Sequence, residues 1–214
     1  MDQKKLRNAL LLYAVTDRSW LRGRSLAEQV QEALAGGVTC LQLREKDLPA
    51  ENFLAQARII KELCRKYQVP FLINDNIEIA LECQADGAHV GQHDLNAGEA
   101  RQRLGPGKIL GVSASTVEQA RLAEAQGADY LGVGAVFPTS TKLDADALSP
   151  RELTAICRAV SIPVVAIGGI NRTNISQLAG CGLAGVAVVS AVFASEDITA
   201  ASRELLRLSK AIVA

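Results

Sequence analysis

The sequence predicts an α/β fold, a single-domain (β/α)8 TIM barrel covering residues 1–214. Three observations carry that expectation. Short apolar runs rich in β-branched residues recur eight times, separated by longer segments with apolar residues three and four apart. The runs are apolar on both faces, as strands of a parallel sheet covered by helices must be. No linker rich in Pro, Gly or Ser and no low-complexity stretch divides the 214 residues, a length that suits eight such units in one barrel.

In chain order, strands are expected at 11–16, 40–44, 71–74, 88–91, 109–113, 130–137, 164–167 and 185–190. Helices are expected between and after them at 25–35, 50–67, 77–83, 96–104, 116–126, 149–160, 173–179 and 198–213, the third being short. Glycines in Ala35-Gly36-Gly37-Val38, Ala85-Asp86-Gly87-Ala88 and Gly127-Ala128-Asp129-Tyr130 stand where a helix ends before the next strand. They read as structural residues of the bottom face. An open doubly wound sheet is the alternative, but Thr16-Asp17-Arg18-Ser19-Trp20 follows the first strand where that fold would carry G-x-G-x-x-G.

Composition narrows the function. Hydrophobic residues make up 49% and charged residues 21%, enough for a sizeable core. Lys plus Arg and Asp plus Glu both total 23, so no basic surplus points to nucleic acid or a membrane surface. Any phosphate ligand must be held by a local site. The five cysteines, Cys40, Cys64, Cys83, Cys157 and Cys181, lack C-x-x-C spacing, which removes zinc and thioredoxin-like readings. An apolar signal-peptide core is missing after Met1-Asp2-Gln3-Lys4-Lys5, and no apolar run approaches membrane-spanning length. The expected location is cytoplasmic, with assembly into a homo-oligomer left open.

In a barrel of this kind the chemistry sits at the C-terminal strand ends. Strand two ends in Gln42, Arg44 and Lys46, which period-2 alternation places on one face as donors for an anion. Strand three ends Asn74-Asp75-Asn76 and strand four ends Gln92-His93-Asp94. Asp75 and Asp94 at neighbouring tips suit Mg²⁺, which takes one or two carboxylates and fills its shell with water and phosphate oxygens. Singly, Asp75 also reads as a helix N-cap and Asp94 as a turn residue. His89 reads as a packed, hydrogen-bonded residue of strand four, while His93 beside Asp94 is a weaker general-base candidate. Ser113 offers a ligand hydroxyl, but no G-x-S-x-G elbow makes it a nucleophile.

Beyond strand six, Phe137-Pro138-Thr139-Ser140-Thr141-Lys142 sets three hydroxyls beside one ammonium on a segment that Pro138 keeps out of a helix. Gly168-Gly169 after strand seven and Ser190 after strand eight form a second, phosphate-type site of backbone N–H groups.

These residues stand in six motifs: QLREK (42–46), INDN (73–76), HVGQHD (89–94), GVSAST (111–116), GVGAVFPTSTK (132–142) and IGGI (167–170). Together they resemble the thiamine phosphate synthase family along nearly the whole chain. The resemblance implies that an aminopyrimidine-methyl diphosphate and a thiazole-ethyl phosphate, carboxylated or not, are joined to give thiamine monophosphate and pyrophosphate. It implies that Gln42, Arg44, Lys46, Asn74 and Lys142 bind the diphosphate or pyrimidine, and that Ser113 contacts the pyrimidine or leaving group. Asp75 and Asp94 would hold Mg²⁺, and Thr139, Thr141, Gly169, Val189 and Ser190 would line the thiazole-phosphate pocket.

Arg44, Lys46, Ser113 and Lys142 are the residues expected to bear on catalysis. The residue types agree with this chemistry, because pyrophosphate leaves once its charge is neutralised and no protein nucleophile is required. Rival readings are the related thiazole tautomerase, another phosphosugar-type barrel, and a non-catalytic sensor of thiamine phosphates. The tautomerase needs neither a pyrophosphate site nor a metal pair, the phosphosugar barrel would share only the phosphate site after strands seven and eight, and in a sensor the carboxylate pair would have no purpose.

Overall fold

Strands too apolar to face water on either side find partners on both, and here they close on themselves. The computed structural model describes residues 2–92, 95–139 and 148–213. Its strands are β1 (Leu12–Val15), β2 (Cys40–Leu43), β3 (Phe71–Asn74), β4 (Gly87–Val90), β5 (Ile109–Ala114), β6 (Tyr130–Val133), β7 (Val164–Ile167) and β8 (Gly185–Val188). All pair in parallel as a closed barrel in sequence order. Tyr13 on β1 stands opposite Cys40 on β2 and Ala187 on β8, which closes the ring.

Two apolar layers follow from the strand period. Tyr13, Val15, Cys40, Leu72, Ile109, Tyr130, Val165 and Ala187 point inward and fill the barrel. Leu12, Ala14, Leu41, Leu43, Phe71, Ile73, Leu110 and Leu131 point outward, under the helices. The helices are α1 (Gln3–Ala9), α2 (Leu26–Ala35), α3 (Ala50–Tyr67), α4 (Ile77–Glu82), α5 (Ala97–Leu104), α6 (Val117–Ala125), α7 (Pro150–Ala159), α8 (Ser190–Phe193) and α9 (Ile198–Val213). Their starts are chemically marked. Ser25 with Glu28, and Ser149 with Glu152, form reciprocal capping boxes on α2 and α7.

The structure departs from the expected elements in places with identifiable causes. Helix α1 was not foreseen; its Leu6 joins Leu10 in the inward layer, so the pair closes the bottom of the barrel. Burying each removes apolar surface worth about 1.5–3 kcal/mol. Strand six stops at Val133 rather than at residue 137. The chain then turns through a cis Gly134–Ala135 bond, and Val136 N–H still reaches Ile167 O at 3.0 Å.

Strand eight stops at Val188, with Ser190 already in α8. The helix expected at 173–179 is a short 3-10 turn, Ile175–Leu178. Gly37 and Gly127 do take left-handed conformations after α2 and α6. Gly87 instead lies inside β4, and Gln84 supplies the left-handed residue after α4.

Candidate active site

The C-terminal mouth of the barrel gathers the polar residues, and its corners are built differently. At the β1–β2 corner, charges hold one another. Beyond β1, Asp17 accepts from Ser19 N–H at 2.8 Å and faces the Arg44 guanidinium at 3.7 Å. Buried Thr16 accepts the Arg44 backbone N–H through its hydroxyl at 3.0 Å. Glu45 accepts from Arg18 Nε at 3.0 and 2.7 Å through its two oxygens, and its side chain is only 3% exposed. These contacts border a cleft of about 380 Å³ lined by Arg18, Trp20, Arg44 and Lys46 among others.

The expected single face for Gln42, Arg44 and Lys46 needs correction. Strand β2 ends at Leu43, so alternation stops there. Gln42 is buried inside the barrel, Arg44 is half-buried at the rim, and Lys46 is exposed in the cleft. The three stand at successive depths rather than as one row. Sequence reasoning missed Asp17 and Glu45, the partners that hold this corner; the visible signal was opposite charge at the tips of adjacent strands.

At the ends of β3 and β4, Asp75 adopts φ +61° and its N–H donates to His89 O at 2.8 Å. The Asn74 side-chain amide donates to the Asp75 carboxylate. The N-cap of α4 is Asn76, which accepts from Ile79 N–H at 2.8 Å, so Asp75 is not spent on capping. Its exposed carboxylate is a hard oxygen donor of the kind Mg²⁺ takes. Asp94 and His93 lie outside the described residues. Among the described residues no three Asp, Glu, His or Cys side chains cluster as a metal site.

The β6–β7–β8 corner uses backbone instead of charge. Gly168 and Gly169 have φ of +101° and +66°. A Cβ on Gly169 would lie 2.5 Å from Pro138 O, and one on Gly168 would lie 2.6 Å from the Ala135 side chain. The segment carrying Phe137 and Thr139 therefore rests directly on the two glycines, with Phe137 N–H donating to Gly168 O at 3.1 Å. Asn174 and Asn171 amides donate to Gly169 O at 2.9 and 3.3 Å, which orients that peptide.

Val189 then precedes the four-residue α8, and its carbonyl accepts from Val192 and Phe193 N–H at 3.2 and 3.0 Å. A short extra helix after strand eight is the usual phosphate-holding device of such barrels. Thr139 is half-buried. Ser140, Thr141 and Lys142 lie outside the described residues, as does the following stretch with Asp144 and Asp146.

Inside the mouth a line of polar groups crosses the barrel. Gln42 Nε2 donates to the Tyr13 hydroxyl, which lies 2.8 Å from the Tyr130 hydroxyl. Tyr130 Oη lies 2.9 Å from His89 Nδ1, and His89 Nε2 lies 3.0 Å from Ser113 Oγ. Burial pushes both tyrosine hydroxyls well above the usual phenol range, so both stay protonated. His89 is thus a hydrogen-bonded residue of β4, as expected. The tyrosines were not singled out in sequence, although they put polar tips into otherwise apolar strands.

The thiols play no visible part. All five are free. Burial raises those of Cys40 and Cys64 strongly, and pushes Cys157 up to about 12.

A closed parallel barrel with a charged corner and a glycine-built backbone corner at its mouth is a (β/α)8 fold whose polar groups gather where enzymes of this architecture carry their sites. Comparison with known proteins agrees and narrows it. The family model for thiamine monophosphate synthase matches residues 12–192. The thiamine-phosphate synthase of Ruminiclostridium cellulolyticum is 51% identical over 92% of this chain and 94% of its own. That of Clostridium tetani is 48% identical over 91% and 93%. A solved thiamine phosphate pyrophosphorylase from Pyrococcus furiosus superposes with a TM-score of 0.90 at 39% identity, covering 98% of this chain and 100% of its own.

The chain belongs to the thiamine monophosphate synthase family. It is a transferase with thiamine-phosphate synthase activity, EC 2.5.1.3. No helix among the described residues is long and apolar enough to cross a membrane.

Proposed function

We propose that the enzyme is Mg²⁺-dependent and joins 4-amino-2-methyl-5-pyrimidinylmethyl diphosphate to a thiazole-ethyl phosphate, or its carboxylated form, by a dissociative route. The C–O bond to the diphosphate breaks first, the pair of electrons leaving with pyrophosphate. The thiazole nitrogen then supplies the pair for the new C–N bond at the pyrimidine methylene. The observation that carries this reading is the pairing of two unlike corners of the mouth, one of charged side chains at β1–β2 and one of backbone at β7–β8.

Arg44 and Lys46 would neutralise the departing pyrophosphate, with Lys142 assigned by motif to the same task. Asp75, with Asp94 by motif, would hold Mg²⁺, and the bound ion would add Lewis-acid stabilisation of the leaving oxygens. Asn74 would orient the Asp75 carboxylate through the hydrogen bond it already makes and reach the diphosphate from the same tip. Gln42 and Ser113 would engage the pyrimidine side.

Gly169, Val189 and Ser190, with Thr139 and Thr141, would seat the thiazole phosphate so that its nitrogen meets the cation without diffusing.

The test supplies both substrates to the purified protein and follows pyrophosphate and thiamine phosphate together. Activity should vanish in EDTA, return with Mg²⁺, and fall by about 100-fold or more in Asp75→Ala. Full turnover in EDTA would remove the metal from the proposal. Loss in His89→Ala or His93→Ala with Asp75→Ala intact would favour tautomerase chemistry instead.

A further inference from the structure

The hydrogen-bonded line across the barrel has a direction. Gln42 Nε2 can only donate, and it donates to the Tyr13 hydroxyl. With that oxygen accepting, the proton of buried Tyr13 goes to its remaining neighbour, Tyr130 Oη at 2.8 Å. Tyr130 in turn donates to His89 Nδ1 at 2.9 Å. An imidazole that accepts at Nδ1 carries its proton on Nε2, so His89 donates to Ser113 Oγ at 3.0 Å. The Ser113 hydroxyl proton is then the one left unspent. Turning over the Gln42 amide would reverse every bond, and Ser113 would have to donate backward to His89.

The line is built rather than incidental. A Cβ on Gly111 would fall 2.2 Å from the Tyr130 ring, and one on Gly132 would fall 3.0 Å from His89 Cε1. Two strands forgo side chains so that these rings can cross the interior. The contributing residues come from β2, β1, β6, β4 and β5, so no single strand can supply the order.

We propose that Tyr13, Tyr130 and His89 are positioning residues that transmit the orientation of the Gln42 amide to Ser113, fixing the Ser113 hydroxyl as a donor and the Gln42 oxygen as an acceptor toward the pyrimidine substrate. This rests on the assignment of Gln42 and Ser113 to the pyrimidine side. A 4-aminopyrimidine, with an amine donor beside a ring-nitrogen acceptor, complements that pattern. A 4-oxopyrimidine, which offers a carbonyl acceptor beside a ring N–H donor, opposes it.

The experiment reads the polarity directly, by ¹⁵N NMR of the imidazoles in the free protein. The chain has only 2 histidines, and His89→Asn identifies the signals of His89 by their loss. The wild type should show His89 protonated on Nε2 and bare on Nδ1. Gln42→Met, three hydrogen bonds away, should let both tautomers appear, an effect that mere packing would not produce. Tyr130→Phe should do the same and lower kcat/KM for the pyrimidine diphosphate about tenfold, with the KM for thiazole phosphate within twofold. It should also narrow the preference for 4-amino over 4-oxo substrate.

Gly132→Ala, which crowds His89 while keeping every polar group, gives a second variant should Tyr130→Phe fold poorly. A wild-type His89 protonated on Nδ1, or a tautomer unmoved by Gln42→Met, overturns the directed line. A tautomer that moves while pyrimidine kinetics stay unchanged overturns the link to substrate, and with it the role given to Ser113, leaving the rest of the functional assignment standing.

Discussion

Two corners of one barrel mouth are built by opposite means. At β1–β2 the work falls to charged side chains, with Arg44 facing Asp17 and Arg18 gripping Glu45. At β7–β8 it falls to peptide groups, with Gly168 and Gly169 in left-handed conformations and α8 starting directly after β8. Full side-chain charge suits a diphosphate that must leave, because its neutralisation matters most as the bond breaks. Fixed dipoles suit a phosphate that only anchors, because they hold it equally before and after reaction.

That contrast can be broken by experiment. The largest effect should come from Arg44→Ala, lowering kcat about 100-fold or more with little change in KM for the thiazole phosphate. Arg44→Lys should recover only part, since an ammonium lacks the planar fork. A loss confined to KM would mean that Arg44 binds the ground state alone.

Next, Gly169→Ala should raise the KM for the thiazole phosphate about tenfold while sparing the KM for the diphosphate. Its Cβ would meet Pro138 O at 2.5 Å and its φ of +66° would strain any side chain. Equal damage to both substrates would show that the corners are not separable. A smaller difference should appear with salt. Raising ionic strength should weaken the diphosphate more than the thiazole phosphate, because exposed charges are screened and short peptide contacts much less so.

The smallest effect tests the wall rather than the site. Ser149 caps α7, and its hydroxyl and N–H hold the Glu152 carboxyl below the usual carboxylate range. Ser149→Ala should lower Tm by about 2–4 °C at neutral pH and leave kcat at 25 °C unaltered. A carboxyl lowered in the folded state stabilises above its unfolded pKa, and that contribution is lost as pH falls through the lowered folded value. The Tm gap between the two proteins should therefore close on the acid side. A gap that persists at low pH would assign the cap to Ser149 alone.

Much of this was legible before any coordinates. Helix α3 begins and ends where the periodicity says, at Ala50 and Tyr67, because its apolar face repeats without interruption. The positions of Arg44, Asp75 and Gly169 just past the strands were legible because the apolar runs of β2, β3 and β7 stop immediately before them. The early end of β6 was not legible, since Gly134, Ala135 and Val136 read as strand yet bend to follow β7. Helix α1 was also hidden, because its charged residues resemble a solvated tail until Leu6 finds the barrel floor.

The sequence by itself determined the barrel, the order of its strands and the residues at their tips, because hydrophobic period and local turn chemistry act over a few residues at a time. Only the tertiary structure decided that Gln42, Arg44 and Lys46 sit at three depths, that Asp17 and Glu45 hold a corner, and that five strands share one directed line of hydrogen bonds. Those are properties of distance across a closed sheet. Tyr13 and Tyr130 are 117 residues apart, and their hydroxyls are 2.8 Å apart.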